Sequence, residues 1–242
     1  MVSYRQIRSE YQTHSPVEAV FVDHYAKMLS PLLTPIFVRL GTLPNRVTVY
    51  MMITGLAGGV LFAIPAVIAK VCGLVLIHLW YVLDCSDGEV ARITKKFSRF
   101  GTEIDYTAHM VNHPVLNMAF VYSLITLHRY NALWLLALGL LCISAELVLR
   151  LQTSFYHIYE MKMGGAIEDA SDRSAMKALL GHAVQFFSMY PNFALLFPIV
   201  YIVDVFAGTP LAVGYMVLHT VVSCVVAVRA SWKWVRTIEK IA

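Results

Sequence analysis

The sequence predicts an all-α integral membrane protein, a six-transmembrane helix bundle preceded by an N-terminal amphipathic interfacial helix. Of its 242 residues, 58% are hydrophobic and only 14% are charged, whereas a soluble domain has roughly 45–50% apolar and about 25% charged residues. The mean hydropathy is +0.64, and the apolar residues fall into runs of about 20, the length that a helix needs to cross a bilayer. This composition excludes a water-soluble globule and a disordered chain.

Six runs are long and apolar enough to be spans. They extend over about residues 47–68, 71–91, 104–127, 132–151, 179–203 and 211–234. The second and third runs carry ionisable residues near one end, which lowers their hydropathy. The four cysteines lie apart in or beside these runs without a metal-binding spacing, so we interpret them as buried apolar side chains.

The N-terminal segment, residues 1–43, is expected to be cytoplasmic and to precede a membrane domain formed by residues 44–242. Within residues 16–40, apolar side chains recur at helical spacing with His24, Lys27 and Arg39 between them. This pattern is typical of a helix that lies in the membrane interface. A helix packed on the bundle fits the pattern equally well.

The basic residues indicate the orientation of the bundle, because lysine and arginine are enriched in the cytoplasmic loops of membrane proteins. With a cytoplasmic N-terminus, only Lys70 and Arg129 fall on the far side, and the other 17 of the 19 basic residues lie at cytoplasmic ends. We therefore expect a multi-pass protein with both termini in the cytoplasm, in the inner membrane if the source is bacterial.

Ionisable residues cluster where the second span leads into the third, and such residues inside a membrane are candidates for function by default. Asp84 and Asp87 are three residues apart, and Asp105 and His109 are four apart, so each pair shares one face of its helix. A short cytoplasmic hairpin would bring the two pairs together. We expect three carboxylates and an imidazole to converge just inside the cytoplasmic leaflet, so that the active site faces the cytoplasm.

A divalent cation is the natural partner of this cluster, because close carboxylates repel one another unless a cation lies between them. Mg²⁺ binds carboxylates together with substrate phosphates, so Asp84, Asp87, Asp105 and His109 are the candidate ligands of Mg²⁺ or Mn²⁺. Arg92 adds a cation suited to a phosphate. Solvated loop charges are the alternative, but the regular helical spacing argues against them.

Other buried polar residues leave two interpretations open. His113 and Asn117 continue the third span beyond the acids, where they would contact a substrate or form hydrogen bonds between helices. Glu146 and Arg150 are four residues apart in the fourth span, which favours a pair that neutralises itself over a role in substrate binding.

The clustered residues resemble the signature of the CDP-alcohol phosphotransferases, D-x2-D-G-x2-A-R-x8-G-x3-D-x3-D. The chain is similar to this pattern at all but the final position. The corresponding residues are Asp84, Asp87, Gly88, Ala91, Arg92, Gly101, Asp105 and, in the final position, His109. The sequence Pro44-Asn45-Arg46-Val47-Thr48 also resembles the P-N-x-x-T element that opens the family's first span.

The resemblance implies a fold that agrees with the six predicted spans, and it implies a reaction. A CDP-alcohol would bind with divalent metal on its pyrophosphate, an acceptor hydroxyl would attack the β-phosphorus, and CMP would leave. Asp84, Asp87 and Asp105 would be metal ligands. Arg92 would hold either the hairpin or the phosphates. The residues of the nucleotide and pyrophosphate pocket would be Thr48, Asp84, Gly88, Ala91, Arg92 and Gly101.

The departure from the signature concerns the fourth aspartate, the general base that the resemblance implies, which is His109 here. Histidine is a good base near neutral pH, but it is a poorer ligand of Mg²⁺ than a carboxylate. His109 is therefore the candidate base of a variant active site, with Asp105 as its catalytic neighbour. Two other interpretations stay open: His109 and His113 together bind a softer metal such as Mn²⁺ or Zn²⁺, or the chain is a degenerate relative.

The expected function is metal-dependent transfer of a phosphoalcohol or phosphatidyl group to a hydroxyl in the biosynthesis of phospholipids or related phosphodiesters. The expected partners are a CDP-diacylglycerol or soluble CDP-alcohol donor, a hydroxyl acceptor, membrane lipid and, as the resemblance implies, a second copy of the chain in a homodimer. No nucleic acid is expected. The alternative is a catalytically degenerate membrane protein that binds nucleotide or metal or acts as a scaffold. A small transporter is disfavoured because the ionisable cluster lies at one end of the bundle and not at its midplane.

Overall fold

The computed structural model describes residues 2–12, 21–163 and 184–239, and in this part of the chain the regular secondary structure is helical throughout, with no strand. A short N-terminal segment, residues 4–12, contains helical turns at Tyr4–Gln6 and Ile7–Tyr11. The long helices that follow are α1 (Phe21–Arg39), α2 (Pro44–Ala63), α3 (Val67–Thr94), α4 (Gly101–Ile125), α5 (Ala132–Met163), α6 (Tyr190–Ala207) and α7 (Leu211–Glu239). The predicted all-α class is confirmed.

Five of the described helices, α2, α3, α5, α6 and α7, are long and apolar enough to cross a membrane, and the protein is an integral membrane protein. The predicted third span corresponds to α4, which has 25 residues but is not among the five. Glu103, Asp105 and two histidines in its first half account for its lower hydropathy. The count of six spans therefore stays a prediction. The interfacial position of α1 also stays a prediction, and residues 16–20 of that predicted helix lie outside the described residues.

The boundary between the first two predicted spans needs a correction. The sequence predicts a first span that continues to residue 68, but α2 ends at Ala63 and α3 begins at Val67. Pro65 explains the difference, because proline lacks an amide hydrogen and disfavours the helical conformation in the residue before it. Ile64 accordingly has an extended backbone with ψ 128°.

The fourth and fifth predicted spans also differ from the structure in their bounds. α5 continues to Met163, beyond the predicted end at residue 151. The fifth predicted span, residues 179–203, is interrupted at Met189, which has ψ 115° and precedes α6 with Pro191 in its first turn. Residues 179–183 of this predicted span lie outside the described residues.

Close contact between α2 and α3 forms the centre of the described bundle. A Cβ atom on Gly73 would lie 2.5 Å from the main-chain nitrogen of Phe62 and 2.8 Å from the oxygen of Gly58, so glycine is required there. Small residues that let helix backbones approach are the usual means of packing helices in membranes. α4 packs on α2, and α5 packs on α4 and α7.

The connection between α3 and α4 sets the position of the ionisable residues. α3 ends before Lys95, whose left-handed conformation, φ 54°, turns the chain. Asn45 Nδ2 at the start of α2 donates a hydrogen bond to Ser98 Oγ in this connection at 3.0 Å. The ends of three helices therefore meet at the same end of the bundle.

Candidate functional site

Asp84, Asp105 and His109 come together where α3 faces α4. One possible ligand atom from each residue lies within 4.8 Å of the others. His109 Nε2 is 3.1 Å from Asp84 Oδ1 and 3.4 Å from Asp105 Oδ1. The side chain of His109 is 7% exposed and that of Asp105 is 41% exposed, so a ligand would reach the cluster from its carboxylate side. We call these three residues the Asp–His cluster.

Asp87 and Thr48 lie beside the Asp–His cluster, at the contact between α3 and α2. Thr48 is buried, and its Oγ1 donates a hydrogen bond to Asp87 Oδ2 at 2.7 Å. Asp84 and Asp105 are electrostatic neighbours of Asp87, although Asp87 is not one of the three grouped residues. Thr48 thus orients the second signature carboxylate and holds one of its oxygens.

The donor set of the Asp–His cluster fits a divalent cation, since hard cations bind carboxylate oxygens and imidazole is a ligand for several transition metals. Among the described residues, Asp105 Oδ1 and His109 Nδ1 are buried polar atoms without a hydrogen-bond partner. His109 Nε2 lies 3.4 Å from Asp105 Oδ1 without forming a hydrogen bond to it. Buried polar atoms are normally paired, so the unpaired Asp105 Oδ1, which lies in the Asp–His cluster, favours a ligand at this position.

A cavity of about 310 Å³ lies next to the Asp–His cluster, between α3, α1 and the N-terminal segment. Asp84 belongs to both the cluster and the cavity wall, and Gly88 and Arg92 also line the cavity. A Cβ atom on Gly88 would lie 3.1 Å from Arg92 Nη1, so the glycine leaves room for the guanidinium group. Three of the predicted pocket residues therefore share one cavity.

Ala91 and Gly101, which the resemblance assigns to the same pocket, are not among the residues that line this cavity. Gly101 lies at the start of α4, where a Cβ atom would be 3.6 Å from Ser98 Cβ and 4.0 Å from Asn45 Oδ1. A side chain there would make ordinary van der Waals contacts with the α3–α4 connection. The roles expected for these two residues stay predictions.

Glu89 is a residue that sequence reasoning misses. It is 1% exposed and accepts hydrogen bonds from Gln12 Nε2 at 2.8 Å, Ser30 Oγ at 2.5 Å and Thr34 Oγ1 at 2.5 Å. The available signal was a carboxylate inside an apolar run, which is a candidate for function on physical grounds. Because Glu89 occupies a variable position of the signature, the resemblance assigns no role to it.

A second group of polar residues lies deeper in the bundle, one helical turn beyond His109. Arg150 Nη2 on α5 lies 3.3 Å from His113 Nε2, and the His113 ring stacks on Tyr190 with centroids 3.5 Å apart. His113 is therefore directed at Arg150 and is not part of the Asp–His cluster. This arrangement disfavours a shared metal site of His109 and His113.

Glu146 and Arg150 do not form the pair that their spacing favours, because each contacts a different helix. Glu146 Oε1 accepts a hydrogen bond from Ser223 Oγ at 3.0 Å and lies 3.2 Å from His219 Nε2, both on α7. Arg150 instead approaches His113 on α4. Their polar groups join helices rather than neutralise each other along α5.

The fold and the site together define an all-helical integral membrane protein with a candidate metal-binding cluster at one end of its bundle. Residues 41–225 match the family model of the CDP-alcohol phosphatidyltransferases, and because this match covers most of the chain, the protein belongs to that family. Its members transfer a phosphoalcohol group from a CDP-alcohol to a hydroxyl acceptor and use a divalent metal. A search of curated proteins found no match to the chain.

Proposed function

We propose that this protein transfers a phosphoalcohol or phosphatidyl group from a CDP-alcohol to a hydroxyl acceptor at the Asp–His cluster. The observation that carries the proposal is the grouping of the first and third signature aspartates with His109 within 4.8 Å. The distribution of basic residues supports a position at the cytoplasmic face, with both termini in the cytoplasm. The family resemblance supports a homodimer in the membrane.

In the proposed reaction, the acceptor oxygen bonds to the β-phosphorus of the donor, and CMP leaves with the bridging oxygen. The hydroxyl proton moves to the imidazole of His109, whose Nε2 lies 3.1 Å from Asp84 Oδ1 and 3.4 Å from Asp105 Oδ1. Asp84 and Asp105 stabilise the positive charge that the imidazole gains.

Asp84, Asp87 and Asp105 would hold the divalent metal, with Thr48 orienting Asp87 from α2. When bound, such a metal supplies Lewis-acid stabilisation of the charge on the transferring phosphoryl group and the departing CMP. Arg92, whose guanidinium group lies beside Gly88 in the adjacent cavity, would contact the phosphates.

The test uses the purified full-length protein with Mg²⁺ or Mn²⁺, CDP-diacylglycerol or soluble CDP-alcohols, and a set of alcohol acceptors. We expect CMP release that a chelator abolishes and that Asp105→Asn lowers at least about 100-fold, since a charged ligand of the reacting centre is lost. Glu103→Gln is the matched control, because Glu103 is an exposed acid on the same helix. It should leave the rate within about twofold, as surface substitutions usually do.

The outcomes separate the proposal from its alternative. CDP binding without CMP release from any donor and acceptor pair would support a degenerate nucleotide-binding protein. Loss of activity in Glu103→Gln to the same extent as in Asp105→Asn would show that the effect is not specific to the Asp–His cluster. Failure to bind CDP would contradict both the transferase and a nucleotide-binding relative, and would leave the metal-binding or scaffold alternative.

A further inference from the structure

We propose that the N-terminal segment forms a wall of the donor site and that Glu89 is the positioning residue that holds this wall in place. The inference rests on the proposed function and deepens it, because the ligand it assigns to the cavity is the diphosphate group of a CDP-linked donor. The N-terminal segment lies outside residues 41–225, which match the family.

Glu89 connects three separate parts of the chain through its buried carboxylate. Its oxygens accept hydrogen bonds from Gln12 in the N-terminal segment and from Ser30 and Thr34 on α1. A buried carboxylate is unfavourable unless such donors surround it, and hydrogen bonds to an ionised group are stronger than neutral ones. Glu89 therefore fixes both the N-terminal segment and α1 against α3.

Gln12 makes a further contact that the sequence of α1 explains. Its Nε2 also donates to the main-chain oxygen of Lys27 at 2.6 Å. In a regular helix that oxygen would accept a hydrogen bond from residue 31, but residue 31 is Pro31, which has no amide hydrogen. Gln12 thus donates to a carbonyl group that lacks its helical donor because of Pro31. Its side chain is held by hydrogen bonds to both α1 and Glu89 on α3.

Arg92 provides a second connection between α3 and the N-terminal segment. Its Nε donates to the main-chain oxygen of Tyr11, the residue before Gln12, while its terminal nitrogens lie beside Gly88. At the other end of the segment, the hydroxyl of Tyr4 donates to the main-chain oxygen of Met28 at 2.9 Å. The segment is therefore held at both ends.

The cavity behind this segment offers cationic and amide donors to a diphosphate, and of its two carboxylates Glu89 is already surrounded by donors. Its volume of about 310 Å³ falls at the lower end of small-ligand pockets, roughly 300–1,000 Å³. The cationic residues Arg92 and Lys27 line it together with Gln12, and Asp84 connects it to the Asp–His cluster. Without the N-terminal segment one wall would open to water, and the attraction between its cations and phosphate oxygens would weaken.

The experiment compares Gln12→Ala with Gln6→Ala in the full-length protein. Gln6 is the matched control, because it lies in the same segment and its Nε2 donates to the exposed Glu10 at 3.1 Å. With CDP as the probe in the presence of Mg²⁺, calorimetry should show about tenfold weaker binding for Gln12→Ala, the size expected from one lost hydrogen bond to a charged group. The KM for the donor should rise, while the KM for the acceptor stays unchanged.

Cys85 provides an independent readout, because it lines the same cavity. Residue-resolved thiol labelling of Cys85 should slow when CDP and Mg²⁺ are added, and it should become faster in Gln12→Ala than in Gln6→Ala without ligand. A purely structural role of Gln12 would lower thermal stability without changing the protection by CDP.

The results distinguish this inference from the proposed function. The wild type could bind CDP and release CMP while Gln12→Ala matches Gln6→Ala in CDP binding and in Cys85 labelling. In that case the N-terminal segment is not a wall of the donor site, and the proposed function stands. If the labelling of Cys85 does not respond to bound CDP, the cavity is not the diphosphate site. If the wild type neither binds CDP nor releases CMP, the proposed function fails, and this inference fails with it.

Discussion

At the end of the bundle where α6 turns into α7, the buried charges have partners. Asp204 is fully buried, and its two oxygens accept hydrogen bonds from Arg129 Nη1 and from the main-chain nitrogen of Ala212, both at 3.0 Å. Lys70 Nζ donates to the main-chain oxygen of Phe62 at 2.8 Å and to Ser123 Oγ at 2.9 Å.

The opposite end, where α3 meets α4, also buries ionisable groups but leaves atoms of these groups unsatisfied. Within the described residues, His109 Nδ1 and Asp105 Oδ1 have no hydrogen-bond partner. The carboxylates of Asp84 and Asp105 also lie close to each other and to Asp87, which is unfavourable without a cation.

The difference indicates which buried charges stabilise the fold and which are available for chemistry. Paired groups such as Arg129 and Asp204 have little capacity left for a ligand. Local conflicts with the rules of folding are expected at functional sites, and the Asp–His cluster is such a conflict. Substitutions at the two ends should therefore separate activity from stability.

The largest expected effect is on the activity of Asp84→Asn. This change removes a charge shared by the Asp–His cluster and the cavity, so CMP release should fall about 1,000-fold, in the range for loss of a main electrostatic contact. The unfolding temperature in detergent should stay the same or rise, because repulsion among the carboxylates decreases. A large loss of stability would contradict the functional interpretation of this end.

The opposite result is expected for Asp204→Ala. Removing one partner of a buried ion pair costs about 3–5 kcal/mol, and we expect the lower end of this range because the side chain of Arg129 is 34% exposed. Denaturation in detergent should show this loss, while CMP release per folded molecule stays within about twofold. An activity loss without a stability loss would remove the distinction between the two ends.

The two ends also show which contacts could be predicted from the sequence. The grouping of Asp84, Asp105 and His109 could be predicted because helical spacing and a hairpin are local features. The partners of Glu89 lie up to 77 residues away along the chain, so only the tertiary path of the N-terminal segment reveals them. For the same reason, the four-residue spacing of Glu146 and Arg150 predicted an ion pair along α5. In the structure each residue instead contacts a side chain on another helix.

The helix boundaries are a second feature in which the structure differs from the sequence prediction. Hydropathy averages over many residues and continued the first span past Ile64, whereas the single residue Pro65 ends it. Pro31 in α1 had a similarly local effect with a distant result, since the carbonyl group that it leaves without a helical donor is the one that Gln12 contacts.

An intermediate effect is expected for His109→Asp, which restores the signature at its final position. A carboxyl group has an ordinary pKa of about 4 and an imidazole about 6.5, so a general base at residue 109 should move the acid limb of the rate profile to lower pH. We expect CMP release to persist at roughly a tenth of the wild-type rate, since general-base catalysis is weakened but not removed. A variant faster than an inactive wild type would identify a decayed site.

The smallest expected effect is that of Lys70→Met at the paired end. The charged nitrogen lies 4.8 Å from the ring centre of Phe62 and 4.7 Å from that of Tyr201, and it helps to cap the carbonyl group of Phe62 near the end of α2. Ser123 Oγ also donates to that carbonyl group at 3.1 Å, so the cap survives the substitution, and methionine keeps the apolar contacts. We expect a loss of about 1 kcal/mol in unfolding free energy, typical of one hydrogen bond, with unchanged CMP release. The hydrogen bond from Ser123 Oγ to the Phe62 carbonyl group remains without Lys70. A loss of several kcal/mol in unfolding free energy would therefore show that the stability of this end depends on the lysine charge itself.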